Sequence, residues 1–181
     1  MEGTLRANLD PHEIHPDRKI AEALKRVRFY ETLEQDLIKE GQSPGQPSKE
    51  VNYNSMVPYE LVNFKIASKG SNLSSGQRQL VCLARALLNK ARIILIDEIA
   101  EDGQDNDQTT EIIQGLIRSE EMQNTTILTV CHRLKTVANY EHVVVMDRGV
   151  KREEGSVRTL IDRKGVLYSM LEEAGLSQKL F

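Results

Sequence analysis

Arg92-Ile93-Ile94-Leu95-Ile96-Asp97-Glu98 is a short, continuously apolar, β-branched run that stops on two acids. An unbroken run of this kind predicts a strand at Arg92–Asp97 covered on both faces, as strands of a parallel sheet are. Working outward, Ser75–Lys90 repeats apolar residues at helical spacing through Leu80, Leu83, Ala84, Leu87 and Leu88. Beyond the strand, Asp107–Glu120 predicts a helix, Thr125–Val130 a strand, Leu134–Asn139 a helical turn and His142–Asp147 another strand. Strand and helix in alternation specify an α/β layered core with parallel strands. Arg148-Gly149 then predicts a tight turn into a strand at Val150–Glu153, and Val157–Leu176 predicts two closing helices.

Upstream, Ile20, Leu24, Val27, Leu33, Leu37 and Ile38 recur at helical spacing between Pro16 and Gly41. This predicts one long helix over Asp17–Glu40, or two broken near Tyr30 and Glu31. Gln42–Pro58 holds three prolines and little periodicity, and reads as an exposed loop. There are no internal repeats.

A length of 181 residues allows one core with a small helical satellite. The apolar fraction of 39% is low for that length, and 28% of residues are charged, so much of the chain must be solvated face or loop. A net charge of −3 and a pI near 5.9 argue against a nucleic-acid footprint, which needs a concentrated basic face. Cys82 and Cys131 each stand among apolar neighbours and read as buried free thiols of a reducing compartment rather than a disulfide. No run approaches the ~18 apolar residues of a membrane span, and no signal-peptide core opens the chain, so this chain is expected to be soluble.

Three stretches carry candidate chemistry. Ser74, with Gln77 three residues on, fits a capping box at a helix start. The same geometry has a second reading: serine hydroxyls, a glycine that permits close approach and a helix N-terminus suit a polyphosphate anion. Asp97 and Glu98, at the carboxyl end of a central strand, stand where α/β sheets bind ligands, although acids there also cap helices. Asp97 would hold Mg²⁺ through water and Glu98 would orient or deprotonate an attacking water. His132, just after the Thr125–Cys131 run, would donate to a terminal phosphate, or serve the structure alone. Nowhere does a glycine-rich loop end in Gly-Lys-Ser or Gly-Lys-Thr.

In this order the motifs resemble the nucleotide-binding domains of ABC transporters. Leu73-Ser74-Ser75-Gly76-Gln77-Arg78-Gln79 resembles the signature motif of that family, Ile93–Asp97 its Walker B strand, Glu98 its catalytic glutamate and Cys131-His132-Arg133 its switch histidine. Gly3-Thr4-Leu5-Arg6-Ala7-Asn8-Leu9-Asp10-Pro11, with Tyr168-Ser169-Met170 and Glu173-Ala174-Gly175-Leu176, is similar to the second such domain of the C subfamily, the multidrug-resistance-associated proteins. The likeness weakens only from Gly41 to Ser71.

That resemblance implies a partial P-loop NTPase (RecA-like) core with parallel strands plus an α-helical subdomain. It divides the chain into a helical signature part, residues 1–88 with a mobile loop at 41–60, and the carboxyl half of the ATPase core, residues 89–181. It implies ATP and Mg²⁺ as cofactors of the intact assembly, not held tightly by this chain alone. As partners it implies a second nucleotide-binding domain and the transmembrane domains of a parent exporter, at the cytoplasmic face of a membrane. The phosphate loop would lie before Met1, so the chain would lend its signature helix to a partner's nucleotide and be inactive alone.

Two departures stand out. Ser75 replaces the usual glycine, and Ile99–Gln104 lacks the usual small-residue pattern ending in aspartate, which points to a short insertion there. Two rival readings stay open: a non-catalytic regulatory or interaction module, and a soluble ATPase of the chromosome or repair type, for which the heptads of a coiled coil are missing. A sheet without its phosphate-loop strand would also expose an edge and favour self-association.

Overall fold

The computed structural model describes residues 1–33, 59–97, 106–131 and 134–176. The predicted loop at Gln42–Pro58, Glu98 and His132 lie outside them. The chain forms two compact units, residues 1–128 and residues from 129 on.

In the first unit, β1 (Gly3–Thr4) pairs antiparallel with β2 (Lys65–Ile66). Thr4 then caps α1 (Leu5–Leu9), its hydroxyl accepting from the Ala7 amide at 3.1 Å. Asp10 closes that helix and organises the next turn, its carboxylate accepting from the amides of Ile14 at 3.1 Å and His15 at 2.6 Å. Arg6 pairs with Asp17, the first residue of α2 (Asp17–Arg26).

The break that the sequence places near Tyr30 and Glu31 comes earlier. Val27 ends α2, Arg28 adopts a left-handed φ of +49°, and helix resumes over residues 29–33. Two residues apart on one helix, Val27 and Phe29 would point to different sides. The turn at Arg28 brings both inside, each 0% exposed.

After α3 (Tyr59–Val62) comes α4 (Ser75–Leu88), which packs between α2 and α5 (Asn106–Ile117). Leu80, Val81, Leu83, Ala84 and Leu88 form its buried stripe, meeting Leu5, Leu9, Ile20, Leu24 and Phe29 in one core. Burying side chains of this size contributes roughly 1.5–3 kcal/mol each, which makes α4 the axis of the unit.

Next, β3 (Ile93–Asp97) pairs with β4 (Thr126–Val130). The Thr126 amide bonds the Arg92 carbonyl at 2.9 Å, so the strands start together and run parallel, with α5 between them in the chain. The expectation that β3 is covered on both faces is not met. Ile94 and Ile96 pack on the core, while Ile93 is 67%, Leu95 72% and, on β4, Leu128 62% exposed. Helices cover one face, and nothing among the described residues covers the other. Cys82 is likewise exposed rather than buried, because it lines the shallow apolar groove beside Ile93 and Leu95. Cys131 is half-buried, its sulfur 2.9 Å from the Thr136 hydroxyl, and both thiols are free.

The second unit is built on a hairpin of β5 (Val143–Asp147) and β6 (Val150–Gly155), paired antiparallel with an irregularity between Val145 and Met146. Arg148 and Gly149, at φ +47° and +77°, supply the two left-handed residues that a two-residue hairpin turn demands. α6 (Leu134–Val137), α7 (Val157–Asp162) and α8 (Val166–Glu173) complete it, with Val137, Val145, Leu160, Leu167 and Leu171 inside. Gly165 precedes α8 and has no side chain to cap it. Glu153 of β6 does so instead, accepting from the amides of Val166 at 2.7 Å and Leu167 at 3.0 Å.

Candidate functional site

The predicted capping box at the start of α4 is formed. The Ser74 hydroxyl accepts from the Gln77 amide at 3.2 Å, and the Gln77 side-chain oxygen accepts from the Ser74 amide at 2.9 Å. The segment leading into it is tied down from several sides. Asn72 accepts from the Ala67 amide at 2.8 Å and donates to the Lys65 carbonyl at 2.9 Å. Arg78 reaches back to the Leu73 carbonyl at 2.6 Å. The turn is therefore set before anything binds it, which lowers the ordering cost of binding.

The five predicted residues divide by environment. Leu73 and Gln77 are buried, at 4% and 3% exposure, and Gln77 also donates to the Thr32 carbonyl at 3.3 Å. Gly76 is buried too. Ser74 is exposed and Ser75 half-exposed, so these two carry the side-chain oxygens at the surface. The Ser74 oxygen accepts within the box, and among the described residues no acceptor takes its own proton. With a helix of fourteen residues behind them, the first amides of α4 present the positive end of the helix dipole.

Asp97 is the last residue of β3 and lies on the uncovered face with Ile93 and Leu95. One exposed carboxylate at a strand end suits a hard cation that keeps most of its ligands as water and phosphate oxygens. Beside it, a groove of about 370 Å³ is lined by Gln79, Cys82, Leu95 and Asp97 among others. Glu98 and His132 are not among the described residues, and the α4 residues that line the groove beside Asp97 are Gln79, Cys82, Leu83 and Ala86, further along the helix than Leu73–Gln77.

Sequence reasoning missed the residues that hold the turn. Asn72 flanks the motif and Arg78 lies in its last part, and their polar side chains beside a loop were the available signal for this supporting role. Thr32 and Thr109 had none, because nothing in the sequence says which threonines the fold brings to Gln77 and Gly76.

Comparison with known proteins places the chain in a family. The family model described as ABC transporter matches residues 2–101, and its members have the P-loop NTPase fold. The "ATP-dependent bile acid permease" of Saccharomyces cerevisiae is 41% identical over 96% of this chain and 10% of its own length. "Bile pigment transporter 1" of the same yeast is 36% identical over 97% of the chain and 11% of its own. "ATP-binding cassette sub-family C member 3" of Rattus norvegicus is 38% identical over 97% of the chain and 10% of its own. The chain thus spans about a tenth of the length of the curated relatives it matches. No helix among the described residues is long and apolar enough to cross a membrane. The family match over more than half of the chain and the likeness along nearly all of it agree: the chain belongs to the ABC transporter family, and within it resembles the C subfamily.

Proposed function

We propose that this chain is the carboxyl-terminal part of the ATPase domain of an ABC exporter of the C subfamily, and that it presents Ser74 and Ser75 to a triphosphate held by another domain's phosphate loop. One observation carries the reading: the α4 start is fixed by its own capping box, with Leu73 and Gln77 inside and both serines outside. ATP with Mg²⁺ supplies the phosphoryl group to be transferred. In the intact assembly Asp97 would hold the cation through water, Glu98 would orient the attacking water, and His132 would donate to the terminal phosphate as charge spreads over its oxygens.

Residues 1–88 act as the helical signature part and residues 89–181 as half of the catalytic core. The partners are a second nucleotide-binding domain and membrane-spanning domains, at the cytoplasmic face of the membrane. Exposed apolar side chains on β3 and β4 favour self-association of the chain by itself.

The test is ATP turnover by the purified chain with MgATP. We expect none above background, because no phosphate loop stands in the sequence; turnover that Glu98→Gln abolishes would overturn this. The unusual Ile99–Gln104 segment also favours a second reading, a non-catalytic regulatory module. The gene upstream of Met1 separates the two. An in-frame phosphate loop and membrane-spanning segments support the exporter, and an in-frame stop codon supports the module.

A further inference from the structure

We propose that Thr109, on α5, is a positioning residue that sets where the signature turn stands. The inference rests on the reading of Ser74 and Ser75 given above. Gly76 does more than permit the approach of a ligand. A Cβ built on it would meet Thr109 at three atoms, Oγ1 at 2.8 Å, Cγ2 at 3.1 Å and Cβ at 3.2 Å. Thr109 is 7% exposed and held within the contact between α4 and α5. The backbone of the turn therefore rests directly on one side chain, without the gap that a side chain at position 76 would impose.

The location of this contact gives it consequence. Ser75 and Gly76 are the first two residues of α4, and their amides precede any intrahelical acceptor. These are the amides that a helix N-terminus offers to an anion. Gln77, one residue on, is held from another side by Thr32. The turn is thus fixed between two supports, and Thr109 is the one that belongs to α5. A packed contact this close has no slack, so a displacement of α5 moves the Gly76 amide with it. α5 follows Asp97 and Glu98 in the chain, so Thr109 joins the helix after the acid-bearing strand to the turn that presents the serines.

Hydrogen exchange on the whole chain tests the contact. The Gln77 and Arg78 amides are both bonded to Ser74, at 3.2 and 3.0 Å, and report on the turn. In Thr109→Ala we expect them to exchange about tenfold faster, with the amides of Ala86–Leu88 at the far end of α4 unchanged, a size in the usual range for a coupling residue. Gly76→Ala should loosen the same two amides, and Gly76→Ala combined with Thr109→Ala should partly restore them, since only the Cβ at 3.2 Å then remains in the way. Exchange that rises evenly along α4, or a double variant no better than Gly76→Ala alone, overturns the proposal.

A second measurement separates this inference from the one beneath it. The probe is an ATP-loaded, phosphate-loop-bearing nucleotide-binding domain of the yeast bile acid permease. If wild-type chain fails to capture it, the presentation of Ser74 and Ser75 is wrong and Thr109 has nothing to position. If wild-type captures it and Thr109→Ala does so equally well, only the role of Thr109 is wrong. We expect capture about tenfold weaker in Thr109→Ala and regained in Thr109→Ser, which keeps Oγ1.

Discussion

Ser74 and Gln77 complete each other's hydrogen bonds, yet their removal should rank in opposite orders for stability and for nucleotide presentation. Ser74→Ala deletes one acceptor of the Gln77 amide at an exposed helix start, a loss of about 1 kcal/mol. Gln77→Ala deletes the bond to the Ser74 amide, about 0.5–1.5 kcal/mol. It also strips the Thr32 carbonyl of its donor in a buried setting, which costs about 1–3 kcal/mol more. The sum for Gln77→Ala is about 1.5–4.5 kcal/mol, above the cost for Ser74→Ala. Urea unfolding followed by circular dichroism reads both, and with an unchanged slope the midpoints give the ranking directly. Capture of an ATP-loaded partner domain should rank the other way, since Ser74 has its hydroxyl at the surface and Gln77 is 3% exposed. Should Ser74→Ala prove as destabilising as Gln77→Ala, the division into an inner frame and an outer contact surface is wrong.

Three further outcomes follow from the packing. A Cβ at Gly165 would collide with the Glu153 carboxylate, so Gly165→Ala should expel that side chain from the start of α8. Gly165→Ala and Glu153→Ala should then each cost about 1 kcal/mol, and the double variant little more than either, as a thermal-unfolding cycle would read. Burial acts to raise the pKa of Asp10, but the His15 and Ile14 amides, with the charges of His15 and Arg6, outweigh it and hold the carboxyl below its ordinary value of 3.8. A depressed folded pKa adds stability above 3.8 that is lost as pH falls below it, so Asp10→Asn should flatten that acid limb of the stability curve. Leu95→Lys on the uncovered face of β3, where Leu95 is 72% exposed, should lower the weight-average mass at high concentration by light scattering; an unchanged mass would exclude this face as the site of association.

The α4 stripe, the capping box and the β3–α5–β4 order were all legible, because each follows from spacing along one element. The break at Arg28 was not, since a left-handed residue other than glycine leaves no mark in the sequence. The end of α4 shows the same limit. Periodicity carried the helix to Lys90, whereas Lys90 takes φ +48° in the place where glycine usually stops a helix, and the chain closes with the Ala91 amide on the Ala86 carbonyl at 3.0 Å. An apolar run such as Ile93–Ile96 says that both faces can be buried, not that both are. For that reason β3 and Cys82 came out more exposed than their residue types imply. Within the site, Ser74 was readable as a cap from its own neighbours. The support from Thr32 and Thr109 comes from residues 45 and 33 positions away, which no local pattern records.

Glu153 gives the second unit an order of assembly. Its carboxylate stands on β6, thirteen residues before the amide of Val166 that it caps, and reaches that amide only once the strand is in place. A helix of eight residues is too short to persist in water by itself. The segment Val166–Glu173 should stay coil as a peptide and acquire helical structure only after the turn at Arg148-Gly149 has closed, so that this helix waits on a hairpin made before it.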